Sequence, residues 1–320
     1  MNDDLKNWLK MLRSPEVNDR LVAVKTLQHL GDEETIGALI IALKDENIAV
    51  QKIAISALWE IADPVAIPAL IECLTSADSD IRAETASALN ELVTKDELLL
   101  LLDKLQINDV NIQLNILVLL RKIHDIQSLP DILPFLESKN SELREAAITT
   151  LRYINQIEKC PQALDLIFDQ EPIVRRATAL TLGHLQDTQV ITILAQALTN
   201  DSDWQVRRNA AKSLAIHENQ QAISALEIAL SDEHWQVRKS AAQALQKIPN
   251  IRVMPRLIQA LTDEYADVRK EAAIALGNLA HPDVINPLQQ ALDDPDKEVS
   301  IQAQRAIQKI QKDRIVSREQ

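Results

Sequence analysis

The tetrapeptide WQVR stands at Trp204–Arg207 and again at Trp235–Arg238, 31 residues further on. Each closing arginine opens a matching octapeptide, RRNAAKSL at Arg207–Leu214 and RKSAAQAL at Arg238–Leu245. Extended both ways in steps of 31, this register aligns Arg20, Gln51, Arg82, Gln113, Arg144, Arg175, Arg207, Arg238, Arg269 and Ser300, with one step of 32 in the loop 199–203. Seven residues after these anchors stand Leu27, Leu58, Leu89, Leu120, Leu151, Leu182, Leu214, Leu245, Leu276 and Ile307, all aliphatic. Six residues before an anchor stands Asp45, Asp169, Asp201, Asp232, Asp263 or Asp294. Such a period marks one supersecondary unit repeated along the chain.

Within a unit the apolar residues fall at helical spacing. Across 268–280 they are Val268, Ala272, Ala273, Leu276 and Leu279, one face of a helix. A second helical stretch follows, as in 285–292, after the turn Pro282-Asp283. Pro68, Pro255 and Pro287 stand near the start of this second stretch, where a missing N–H costs little. Two short antiparallel helices cannot bury their apolar faces alone, so neighbouring units must stack. The expected fold is all-α. It is an α-solenoid of about nine 31-residue helical-hairpin repeats plus a terminal half-repeat across residues 14–310. An N-terminal capping helix is expected in 1–13 and a polar C-terminal tail in 311–320, since a stack of hairpins needs polar ends.

Composition removes several classes of function. Of 320 residues 46% are hydrophobic and only 2% aromatic, so the core must be aliphatic. The 4 glycines form neither GxGxxG nor GxxxxGK[ST], which leaves no glycine-rich phosphate cradle. No uncharged stretch approaches the ~18 residues of a membrane span, so no membrane insertion is expected. The opening MNDDLKNW is acidic and lacks an apolar core, which points to no signal peptide and a cytoplasmic protein. Cys73 and Cys160 have unrelated neighbours and suggest neither a disulfide framework nor a thiolate metal site. A net charge of −13 argues against nucleic acid as the partner.

The Asp-x5-Arg pairing, followed by VR-x2-AA-x-AL and a leucine-rich helix, is similar to the HEAT superfamily. The 31-residue period and the D-x-x-WQVR form most resemble its phycobilisome-lyase-type HEAT-like repeat. The resemblance implies that the arginine and the aspartate tie one repeat to the next. It also implies that the anchor-bearing helix lines a concave face. Members of this class serve as bilin lyase subunits, phycobilisome-degradation factors and general scaffolds, so the resemblance defines a fold more sharply than a function.

With the anchor as zero, the buried positions of its helix are expected at −1, +3, +7 and +10, and the solvent stripe at +1, +5 and +8. That stripe carries ten cations, Lys25, Lys52, Arg121, Arg152, Arg176, Arg208, Lys212, Lys239, Lys270 and Arg305, against one acid, Glu145. Four successive repeats place a cation at +1: Arg176, Arg208, Lys239 and Lys270. Leu114, Val118 and Leu180 are expected to form a small apolar centre beside this ladder. Residues 161–320 sum to −3 and residues 1–160 to −10, which favours the C-terminal half as the binding end. Trp204 and Trp235 occupy equivalent places one repeat apart, either as partner anchors or as plugs of the turn. Trp59 falls on the stripe as a separate candidate.

No HExxH pair is present, and His217-Glu218 is a single His-Glu pair, so no metal site is expected. No catalytic constellation assembles from the sequence. The leading expectation is a non-catalytic scaffold or chaperone holding an acidic protein on the basic face, without a cofactor. By resemblance that protein would be a phycobiliprotein. One alternative is a subunit of a bilin lyase or isomerase, which would bind a bilin through its propionates and pair with a second HEAT-like subunit. Another is a general scaffold unrelated to phycobilisomes. A DNA-binding array ranks last, because the chain is acidic and poor in stacking aromatics.

Overall fold

The computed structural model describes residues 3–31, 33–154, 157 and 159–319. Every regular element among them is helical. The chain divides into two compact units, Met1–Phe135 with Tyr153–Asn155, and Leu136–Arg152 with Gln156–Gln320. The division falls after the fourth anchor, the repeat where Gln113 replaces arginine and Ile107 stands in the expected aspartate place.

Unit 1 begins with α1 (Asp3–Met11), within the expected capping segment, and continues with α2 (Val17–Leu30), α3 (Glu33–Ala42), α4 (Ile48–Ile61), α5 (Ile67–Cys73), α6 (Ser79–Leu92), α7 (Leu98–Leu105), α8 (Val110–Ile123) and α9 (Leu129–Ile132). Unit 2 holds α10 (Ser141–Leu151), α11 (Pro161–Asp165), α12 (Pro172–Thr181), α13 (Val190–Asn200), α14 (Trp204–His217), α15 (Ile223–Ala229), α16 (Trp235–Lys247), α17 (Met254–Ala260), α18 (Ala266–Leu279), α19 (Ile285–Gln290) and α20 (Lys297–Glu319). The anchors ride on the even-numbered helices from α2 to α20. In chain order a second helix follows each anchor helix, giving nine repeats and α20 as the half-repeat, and in space the anchor helices pack on the helix before them, as α4 does on α3, α8 on α7, α14 on α13 and α20 on α19. The final helix runs on to Glu319, so the described part of the polar tail extends it.

The core follows the register. At −1, Val50, Ile81, Val174, Val206, Val237, Val268 and Val299 are all buried, as is every aliphatic residue at +7 from Leu27 to Ile307. The +10 position follows the expectation, buried or half-buried, except at its first occurrence. Ile123, Leu185, Ile248 and Ile310 are buried there, but Leu30 is 50% exposed. The +6 position is buried as well, by Ala57, Ala88, Ala244, Ala275 and Ala306 among others. Successive anchor helices pack directly on one another in each unit, as α12, α14, α16, α18 and α20 do. Small side chains at +6 let their backbones approach. Gly277 on α18 shows how closely: a Cβ there would lie 2.8 Å from the Ala306 Cβ on α20.

Among the described residues six Arg–Asp ties lock neighbouring repeats, each between residues 25 or 26 apart. Arg207 Nε donates to Asp232 Oδ2 at 2.7 Å and Nη2 to Oδ1 at 3.0 Å, while Nη1 donates to the Asp201 carbonyl at 2.9 Å. Arg20–Asp45, Arg144–Asp169, Arg175–Asp201, Arg238–Asp263 and Arg269–Asp294 repeat the pattern. Each fork spans two repeats in a bidentate, largely buried geometry. Among the described residues Arg82 donates to the carbonyls of Ser76 and Ala77 and Gln113 reaches the Leu105 carbonyl at 3.5 Å, with no carboxylate partner. Among the described residues unit 2 thus carries an unbroken run of five ties and unit 1 a single one.

Candidate functional site

In unit 2 the +1 and +5 positions of α12, α14, α16 and α18 point away from the core and present the expected cations along one face. Their electrostatic situations differ sharply. Arg176 forks onto Asp203, with Nε at 3.0 Å from Oδ1. Asp203 is also the N-cap of α14, accepting from the N–H groups of Gln205 and Val206. This cluster of donors, Arg176 foremost, holds the Asp203 carboxyl below the usual carboxylate range. Arg176 is therefore engaged in repeat packing. Lys239 reaches Asp267 at 3.0 Å, and Lys270 meets the same carboxylate at 3.3 Å and Glu271 at 3.9 Å. Asp267 is held low by these ammonium groups, Lys239 first.

Arg208 and Lys212 stand apart from this pattern. Arg208 donates from Nε and Nη2 to the amide oxygen of Asn209, a neutral acceptor, and lies 5.2 Å from the centre of the Trp204 ring. Lys212 is exposed one turn further along α14. Its pKa is pushed down, first by partial burial of the ammonium and then by the charges of Arg208 and Lys239. Arg208 and Lys212 therefore form a local excess of positive charge beside Lys239, whose own partner Asp267 is shared with Lys270.

The tryptophans flank it. Trp204 stacks on His234, with ring centres 5.3 Å apart, and Trp235 stacks on Tyr265 at 5.2 Å. Lys239 lies 5.8 Å from the Trp235 ring, and Arg238 5.8 Å from that of Tyr265. The register explains the stacks. Four residues before the anchor stand Asn47, Asp78, Asp109, Asn140 and Asp203, which cap their helices. His234 and Tyr265 occupy the same place without a side-chain cap and stack on the previous repeat's tryptophan instead. Both tryptophans are half-buried, consistent with a turn plug that still offers one ring edge to solvent.

The remaining candidates are distributed over both units. Leu180 is half-buried on α12, and Arg152 closes α10, near enough to His184 to help burial lower that imidazole's pKa. Leu114, Val118 and Arg121 lie on α8 in unit 1, with Val118 42% exposed. Unit 1 also holds an open cavity of about 710 Å³ beside Trp59. The sequence pointed to Trp59 but not to the cavity, because its walls come from three repeats. The carboxylates that answer Arg176 and Lys239 were missed for a similar reason. Each sits two to four residues before the next anchor, a place that a one-helix stripe does not sample.

Among the described residues no cluster of three or more His, Cys, Asp or Glu side chains could hold a metal ion, and no helix is long and apolar enough to cross a membrane. What the molecule offers is extended surface on stacked helical hairpins, the build of a repeat protein that binds other proteins. Residues 5–90, 160–246 and 254–317 match the HEAT repeats, and the chain belongs to that family. Residues 237–263 match the PBS lyase HEAT-like repeat. Among curated proteins none matches the sequence. The fold is similar to that of an engineered protein at 23% identity and TM-score 0.54, covering 97% of this chain and 99% of the other. It is also similar to a chain in the structure of Kap95p with RanGDP, at 14% identity and TM-score 0.65, covering 96% of this chain and 49% of that one. HEAT arrays serve in general as protein-binding scaffolds.

Proposed function

We propose that the anchor-helix face of unit 2 is a non-catalytic docking surface for an acidic protein, in the manner of a scaffold or chaperone. One observation carries the reading. Arg208, whose side chain meets only the neutral Asn209 amide among the hydrogen bonds of the described residues, and the exposed Lys212 stand beside Lys239, and the nearby carboxylate of Asp267 is already shared by Lys239 and Lys270. A carboxylate brought there answers that charge, and the half-buried Trp204 and Trp235 supply aromatic surface alongside. Arg176 and Lys270 contribute to the field around this centre while remaining paired within the protein.

The partner we propose is a phycobiliprotein, an acidic protein of the class the phycobilisome-lyase-type repeat serves. The match to that repeat at 237–263 includes Lys239 and supports this choice. The same match favours a second reading, a bilin lyase or isomerase subunit. There Arg208 and Lys212 would hold the propionates of a bilin substrate while a second HEAT-like chain completes the enzyme. The docking reading requires no cofactor and is proposed for the cytoplasm.

Affinity capture separates the readings. Immobilised wild-type protein is expected to retain a purified phycobiliprotein, and the R208E/K212E variant to lose it. The control R256E, an exposed change on α17, should behave as wild type. Retention of bilin alone, only with a second subunit present, would move the assignment to the lyase. Equal retention by wild type and R208E/K212E would overturn the site.

A further inference from the structure

The cavity in unit 1 has a different chemistry. It opens on the anchor-helix face between α2, α4 and α6 and measures about 710 Å³. Ile53, Trp59, Ala83 and Ala88 give it apolar walls, and the carboxylates of Glu84 and Glu91 line it as well. The volume is that of a site for several side chains or one small ligand. Trp59 is 41% exposed, unusual for an indole in a chain with so few aromatic residues. Its N–H donates to Glu91 Oε2 at 2.9 Å, which fixes the ring.

Charge decides the occupant. Lys52, the one cation among the described residues lining the cavity, is shared between Asp80 at 3.2 Å and Glu84 at 2.9 Å, so one positive charge meets two carboxylates there. Lys122 approaches from α8 but donates to the Glu91 carbonyl, and Lys25 is exposed on α2. Glu60 beside the rim accepts from Gln28 and Ser56, neutral donors both. Glu84, which shares Lys52 with Asp80, and Glu91, bonded to the Trp59 N–H, converge with the indole on one apolar groove and leave it net negative. That combination receives a guanidinium, which stacks on the ring, bonds the carboxylates and leaves its aliphatic neighbours to the apolar walls. A groove crossing three successive helices admits a chain segment rather than one side chain.

We infer that the Trp59 groove of unit 1 is a docking site for a peptide segment of a partner protein that presents arginine beside aliphatic residues. The site is independent of the acidic-partner face in unit 2 and has the opposite charge preference. Residues 1–160, which sum to −10, add a long-range attraction for such a segment.

The test uses the full-length chain labelled with 5-fluorotryptophan, with the Trp59 resonance assigned through W59F. The probe is an acetylated, amidated peptide of alternating arginine and leucine, and its comparison is the same peptide with glutamate for arginine. Addition of the arginine peptide should shift the Trp59 fluorine signal in a saturable manner, and the glutamate peptide should leave it in place. E84Q/E91Q should weaken binding by more than about tenfold, since two charge-assisted bonds are lost. R208E in unit 2 should leave the affinity unchanged. Melting temperatures of the variants near wild type establish that loss of binding is not loss of fold. An unmoved Trp59 signal, equal response to both peptides, or wild-type affinity in E84Q/E91Q would overturn the assignment. Concentration-dependent self-association abolished by E84Q/E91Q would assign the groove to a second copy of the chain and overturn it as well.

Discussion

Asp203 carries two duties at once, capping α14 and receiving Arg176, and this double use shows how the repeat register spends its charges. The Arg–Asp ties are the clearest case. Asp232 is nearly buried and bidentately bound to Arg207. Asp232→Ala would leave that guanidinium without its main acceptor, and urea denaturation should show a loss of about 2–3 kcal/mol. Acid should act on the same network. Asp294 is held below the ordinary carboxylate range by Arg269, while at Asp263 burial pushes up but Arg238 prevails and the net shift is downward. Carboxylates with a lowered folded pKa contribute stability above their unfolded pKa of about 3.9 and lose it as pH falls through the folded value. The melting temperature should therefore stay nearly flat from about pH 7 to 5 and drop steeply below about pH 4. A midpoint that holds steady to about pH 2 would contradict this role for the ties. The tie partners were legible in the sequence, because their spacing repeats. The partners of Arg176 and Lys239 were not, because Asp203 and Asp267 stand four and two residues before the next repeat's anchor, outside the +1, +5 and +8 stripe along which charge was counted.

At the scale of elements, the helices and their order were legible almost completely from one tetrapeptide and its period. The hairpins, the prolines at the start of α5 and α17, and the half-repeat α20 all follow from it. What escaped was inter-helix detail, such as the burial of +6 alongside +10, which depends on how closely anchor helices approach. Two element-level predictions follow from that geometry. Helix α18 ends on Ala280, held at φ 52 in the left-handed region that costs a residue with a Cβ about 1–2 kcal/mol. Ala280→Gly should raise stability by about 1 kcal/mol, measured by chemical denaturation, and a destabilising result would show that its methyl group packs more than the turn strains. Helix α8 lacks the arginine tie that α18 possesses through Arg269 and Asp294. Amide exchange should be faster across 110–122 than across 268–280, and equal protection would mean the ties add little to local stability.

Considered as a whole molecule, the chain is acidic yet unevenly so, with −10 in residues 1–160 and −3 in residues 161–320. Each unit presents its own anchor-helix face, and the two faces differ in kind. Unit 2 offers a cationic centre between aromatic stacks, and unit 1 an acid-lined apolar groove. Summing charge along the stripe predicted a uniformly basic ladder, but a sum over one helix face omits the carboxylates contributed by neighbouring repeats. The same reasoning gives the central claim its sharpest form: the cations that matter for an acidic partner are those whose charge remains unanswered. The affinity of a purified phycobiliprotein should be measured for wild type and R208E/K212E at about 0.05 M and 0.5 M salt. The account predicts wild-type binding that weakens strongly with salt and at least a tenfold loss in the variant at low salt. Wild-type affinity that is indifferent to salt and shared by R208E/K212E would contradict it.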